Sequence, residues 1–185
     1  MKHLHGSKEL CREIQQSYLS LCAEHPQGKV KVKEIMERAG HSKSTFYLNY
    51  ENVEALRDEL IHDLIDEICT PFSRTQTGGM PAFSEEGFRQ ILLELVKNRT
   101  TVLLLLQQGG REMLRDNLFF FLHRAILLRL TARRCPEQSL YDWASLLCHG
   151  VLDLTLEWLV QSGTESAIPK LCKTTEDLLC RLEKS

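Results

Sequence analysis

Apolar residues recur along most of this chain at spacings of three and four, the period of an amphipathic helix. Leu10, Ile14, Tyr18, Leu21 and Cys22 predict a first helix over residues 7–24, with Ser7 as its N-cap and His25-Pro26-Gln27-Gly28 as its stop. Val32, Ile35, Met36 and Ala39 predict a second, short helix that ends at Gly40. Ser42 then caps a third over residues 43–50, with Phe46 and Tyr50 on its buried side. Asn52 caps a fourth, to about residue 69, along which Leu56, Leu60, Leu64 and Ile68 line up. Residues 70–83, with two Pro and a Gly-Gly pair, read as a loop. Further helices are expected over residues 84–98, 100–108, 112–133, 138–161 and 164–183.

The last two carry long stripes. One is Leu140, Trp143, Ala144, Leu147, Val151, Leu154 and Trp158; the other is Ile168, Leu171, Cys172, Thr175, Leu178, Leu179 and Leu182. No segment alternates with the period of two that a half-buried strand needs. The fold class is therefore all-α, with about nine helices. Residues 1–50 form a three-helix head, the fourth helix (to about residue 69) connects, and residues 70–185 form a helical body.

Composition adds limits. A chain of 185 residues, 43% hydrophobic and 26% charged, has the make-up of a globular protein and not of a disordered one. Uninterrupted apolar runs reach only five residues, at 102–106 and 118–122, so neither a membrane span nor a secretory signal is expected. Seven scattered Cys without a CxxC pair point to a reduced, cytoplasmic setting, with no disulfide framework and no zinc site. Charge is uneven: residues 1–50 hold eight Lys and Arg against five Asp and Glu, while the remainder holds fifteen against twenty. A basic end on an acidic body suits a polyanionic partner.

The informative stretch is residues 32–50, VKEIMERAGHSKSTFYLNY. Two short helices joined at a glycine are the pattern of a helix-turn-helix. Gly40 tolerates the positive φ of the turn, and Ala39 is small enough for a close helix crossing. On the third helix Phe46 and Tyr50 oppose Lys43, Ser44, Thr45, Tyr47 and Asn49. A polar helix held out in this way fits the major groove of B-DNA, about 12 Å wide.

The run I-x-x-x-A-G-x-S-x-x-T-F-Y-x-x-Y, residues 35–50, resembles the core of the tetracycline-repressor (TetR/AcrR) family of bacterial regulators. The resemblance implies a DNA-binding head and a body that dimerises and takes an effector. It also implies that Tyr47 contacts phosphate, and that Lys43, Ser44, Thr45 and Asn49 meet base edges or nearby phosphates. Ser42 caps the recognition helix and lies near the backbone of the duplex, and Lys31 and Lys33 open the second helix where phosphate contact is expected. The chain departs from the family at Lys31, where Thr is usual, at His41, at Ser44, where Gly is usual, and at Val53, where a Lys would add a phosphate contact. Lys29, Lys31 and Lys33 are placed to compensate.

In the body, Phe119, Phe120, Phe121, Trp143 and Trp158 are candidates to line a cavity for a small apolar effector, against the plainer reading that they are core or interface. His123 and His149 read as structural, with no metal site and no cofactor expected, and Arg133-Arg134 reads as a solvated helix end. Cys148, Cys172 and Cys180 are weaker candidates for oxidant sensing. The two final stripes suit a homodimer in which each chain gives two helices to a bundle. No nucleophile elbow, phosphate loop or HExxH occurs, so an enzyme is not expected. The expected function is transcriptional regulation, as a homodimeric repressor whose DNA affinity a small molecule modulates. The alternative is an all-helical protein-interaction regulator of the same fold that has lost DNA or effector binding.

Overall fold

The computed structural model describes residues 8–26, 28–73, 82–132 and 140–183, with residues 70–73 described through their backbone. Among the described residues all regular structure is helical and no strand occurs. The helices are α1 (Lys8–Glu24), α2 (Val32–Ala39), α3 (Lys43–Asn49), α4 (Val53–Ser73), α5 (Glu85–Lys97), α6 (Arg99–Leu105), α7 (Arg111–Ala132), α8 (Leu140–Gln161) and α9 (Ile168–Leu182). A π-helical turn, Leu106–Gly110, follows α6, and a 3-10 turn, Glu165–Ala167, precedes α9. The Ser7 cap, residues 74–81 of the expected loop and the Arg133-Arg134 pair lie outside the described residues.

The chain forms two compact units, Met1–Leu64 with Thr100–Leu114, and Ile65–Arg99 with Arg115–Ser185. In the first, Ile14, Tyr18 and Cys22 of α1 are buried together with Ile35 and Met36 of α2, Phe46 of α3 and Leu56 and Ile61 of α4. Polar ties fix the helices around this core. Gln15 donates from Nε2 to Glu59 and Asp63, each at 3.2 Å, and the Tyr50 hydroxyl donates to the same Glu59 carboxylate at 3.0 Å. Arg38 of α2 grips Glu24 of α1 through two bonds of 2.7 Å, a bidentate geometry available to a guanidinium and not to an ammonium.

The helix expected over residues 100–108 stops at Leu105. Gln108 (φ −84°, ψ 17°) and Gly109 (φ 84°) leave the helical region and kink the chain before α7. Two successive glycines allow this. Gly109 takes a left-handed conformation, and at Gly110 a Cβ would stand 2.7 Å from both Ile61 Cδ1 and the Leu105 carbonyl oxygen.

The second unit buries Phe88, Leu92 and Leu95 of α5, Leu118, Leu122 and Ile126 of α7, Cys148, Leu156 and Leu159 of α8, and Cys172 and Leu179 of α9. Arg129 of α7 is buried and binds both oxygens of Glu176 at 2.6 Å and Glu183 at 2.7 Å, which ties α7 to α9 and its C-cap. Arg99 donates to the Leu159 and Val160 carbonyls at 2.8 and 3.3 Å, satisfying acceptors that the end of α8 leaves open. Gly163, with φ 55°, passes against the Arg99 side chain where a Cβ would collide.

Two further helix bounds need correction. The fourth helix does not end near residue 69 but runs to Ser73. Pro71 lies in its last turn, where a missing N–H forfeits only one ladder bond. The final helix begins at Ile168 and not at residue 164, because Pro169 in its first turn is where a proline costs nothing and sets the start.

The aromatic set proposed for a cavity does not converge. Phe120 is 70% exposed and Trp143 45% exposed, whereas Trp158 is buried. Consecutive residues on a helix point about 100° apart, so Phe119, Phe120 and Phe121 cannot share one wall. Phe119 instead stacks on His123, with ring centres 5.2 Å apart, and lies 4.5 Å from His149.

The α8 stripe also divides: Ala144, Val151 and Trp158 face inward, while Trp143 and Leu154 face out beside Leu146 and Val160. On α9, Leu178 is likewise exposed. α8 is long and apolar enough to cross a membrane by length and composition, which short uninterrupted runs concealed, and 44% of its apolar window is buried inside the fold.

Candidate nucleic-acid interface

The turn between α2 and α3 is built from backbone rules. Gly40 adopts φ 73°, and its N–H bonds back to the Glu37 carbonyl while His41 N–H reaches the Met36 carbonyl at 2.9 Å. Ser42 is extended, and its Oγ accepts from Thr45 N–H at 3.3 Å, an N-cap as the sequence suggests. The Ser42 hydroxyl also lies 2.7 Å from Ser44 Oγ and 2.9 Å from Thr45 Oγ1. His41, at the head of this turn, bonds Glu13 of α1 at 2.8 Å.

α2 starts without help from the Lys31 side chain, since an ammonium has no acceptor. The other half of a capping box is present: Glu34 accepts from the Lys31 backbone N–H at 2.8 Å. This leaves the Lys31 side chain free of a capping role, and it is exposed. Lys33 is exposed too and pairs loosely with Glu37 at 3.6 Å, a surface contact of little energetic weight.

α3 has one buried side and one open side. Phe46 is fully buried, packed against the Tyr50 ring 5.5 Å away. At about 100° per residue, Lys43, Tyr47, Ser44 and Leu48 occupy one arc of about 140°. All four are exposed, Tyr47 by 60% and Leu48 by 61%. Lys43 and Tyr47 form one ridge, Ser44 and Leu48 the other.

Of the expected site residues, Lys31, Lys33, Ser42, Lys43, Ser44 and Tyr47 are open to solvent, while Thr45 and Asn49 lie on the half-buried flank. The Asn49 amide donates to the Thr45 carbonyl at 2.8 Å, and its Oδ1 lies 4.0 Å from Cys11 Sγ of α1. The alternation of polar and apolar positions on α3 does not mark Leu48, an apolar residue on the open side of a short helix. Its spacing of four from Ser44 was the available signal.

Val53 is half-buried at the start of α4, whose first turn is capped by Asn52 Oδ1 accepting from Ala55 N–H at 2.7 Å. Burial pushes the Cys148 thiol up to about 12 and the Cys172 thiol up to about 11, so neither carries much thiolate at neutral pH. Among the described residues no three His, Cys, Asp or Glu side chains gather as a metal site requires.

Within the described residues, α2, the turn at Gly40 and α3 form a helix-turn-helix arrangement in an all-helical fold. No family model matches the chain, and no curated protein matches it. Its fold is similar to that of a solved structure, the dihydroxyacetone kinase operon activator DhaS, with a TM-score of 0.67 over 96% of this chain and 98% of that one. The two are 15% identical, so the likeness is one of fold.

Proposed function

We propose that this chain is a DNA-binding transcriptional regulator that acts on double-stranded DNA in the cytoplasm. The reading rests on α3: a buried Phe46 anchors it, and Lys43, Ser44, Tyr47 and Leu48 stand out from it as a face free to enter a major groove. The basic first fifty residues, with Lys31 and Lys33 opening α2, supply charge for the phosphates. The similarity of fold to an operon activator supports a role in transcription.

The finer reading is a homodimer that pairs through α8 and α9, spaces two α3 helices for two half-sites, and represses until a small molecule favours a different body shape. Any such molecule acts only through its differing affinity for the two shapes. The name of the similar structure favours a second sign, activation, with the same DNA contact.

Fluorescence anisotropy with a labelled random-sequence duplex tests the contact. Tyr47→Ala is expected to weaken binding to every duplex, and Lys43→Ala to reduce the salt dependence. Unchanged binding in both variants contradicts the assignment.

A further inference from the structure

We infer that Leu48 reads sequence, its isobutyl group meeting the C5-methyl group of a thymine in the major groove. The inference rests on the DNA-binding reading above and deepens it. α3 has seven residues and two large aliphatic or aromatic side chains outside the Tyr47 ring, Phe46 and Leu48. Phe46 is spent on the core; Leu48 is 61% exposed on the same open arc as Lys43, Ser44 and Tyr47.

The polar side chains flanking that arc are engaged within the protein. Thr45 Oγ1 lies 2.9 Å from Ser42 Oγ, and the Asn49 amide bonds the Thr45 carbonyl at 2.8 Å. Ser44 Oγ is likewise 2.7 Å from Ser42 Oγ, so exposure and position on the arc, not freedom from internal bonds, place Leu48 beside Ser44 where base edges would pass. A leucine has neither donor nor acceptor, so hydrogen-bonding groups in the groove gain nothing from it. Of the four bases only thymine offers the major groove a methyl group, and covering that methyl removes apolar surface of both partners from water. Lys43 and Tyr47, on the adjoining ridge, are placed for charge and phosphate, so the two ridges divide positioning from reading.

The test selects duplexes from a randomised library with the full-length protein. Each thymine of an enriched duplex is then replaced singly by deoxyuridine, which lacks only the methyl. Affinities at one salt concentration are compared for the native chain, Leu48→Ala and Leu48→Met. The side chain is exposed, and circular dichroism verifies that both variants keep the native helix content.

The expected result is a thymine in each half-site whose replacement weakens native binding by about fourfold, the worth of about one buried methyl. That penalty vanishes in Leu48→Ala and persists in Leu48→Met. If no thymine shows a methyl dependence, or if Leu48→Ala keeps the penalty, the inference about Leu48 is overturned while DNA binding stands. If the native chain enriches no duplex and binds none in a salt-sensitive way, the DNA-binding reading falls first and this inference with it.

Discussion

Arg57 Nη1 on α4 donates to the Gln108 carbonyl oxygen at 2.9 Å, which joins two points 51 residues apart within the first compact unit. The same Gln108 extends its side-chain amide to the Pro26 and Gly28 carbonyls, each at 3.3 Å. The kinked turn after α6 is thus held against both α4 and the end of α1, and it exists because Gly109 and Gly110 let the backbone leave the helix.

A substitution at Gly110 tests that packing. Gly110→Ala is expected to lower stability by about 1–3 kcal/mol, since its Cβ meets a backbone carbonyl that cannot swing aside. Gly109→Ala, where the obstacle is the left-handed backbone, is expected to cost about 1–2 kcal/mol. Urea denaturation followed by circular dichroism measures both. A native midpoint for Gly110→Ala would contradict the close approach to Ile61.

Arg129 faces two carboxylates, Glu176 and Glu183, from a buried position. Those carboxylates raise the guanidinium's pKa above its ordinary value, the hydrogen bonds of Glu176 most of all. Arg129→Ala removes the guanidinium that both carboxylates bind and is expected to cost about 3–5 kcal/mol in urea denaturation. Removing the charges together, with Arg129→Met, Glu176→Gln and Glu183→Gln, is expected to recover much of that loss. A single mutant as stable as the native chain would show that the cluster does not hold α9.

The cysteines should react in a fixed order. Burial holds Cys69 and Cys148 at about 12 and Cys172 at about 11, so each stays protonated until the solution is strongly alkaline. Cys11 and Cys180 are half-exposed. Brief iodoacetamide treatment at neutral pH, mapped by mass spectrometry, is expected to label Cys11 and Cys180 well before Cys69, Cys148 or Cys172. Early labelling of Cys148 or Cys172 would restore them as candidates for oxidant sensing.

The outward apolar residues of α8 and α9 give the dimer proposal its own test. Trp143, Leu146, Leu154 and Leu178 are exposed on the single chain. Leu146→Glu with Leu154→Glu is expected to convert a dimer to a monomer in sedimentation equilibrium while preserving helix content. An unchanged mass would remove this face from the interface.

Much of the fold was legible because period and punctuation agreed. Leu56, Leu60, Leu64 and Ile68 lie on the buried face of α4, Gly40 turns left-handed, and Ser42 and Asn52 cap the helices they precede. What escaped the sequence depended on partners distant along the chain. The kink at Gln108 needs Arg57 and Ile61 as neighbours, and the division of the α8 stripe reflects which side α8 turns toward its own unit. At α3 the pattern marked Phe46 as the anchor, but it treated the polar residues as one face. The half-burial of Thr45 and Asn49, the hydrogen bond between them and the exposure of Leu48 separate the flank from the open arc.

The central claim is that α3 meets duplex DNA with phosphate contacts from the basic head. The most direct measurement is the affinity of the full-length protein for duplex DNA across a range of salt concentrations. The account predicts a linear fall of log affinity with log salt, and a shallower slope, by about 0.9 for each lost phosphate contact, when Lys31, Lys33 or Lys43 is changed to Ala. An affinity that is absent, or that does not vary with salt, would contradict it.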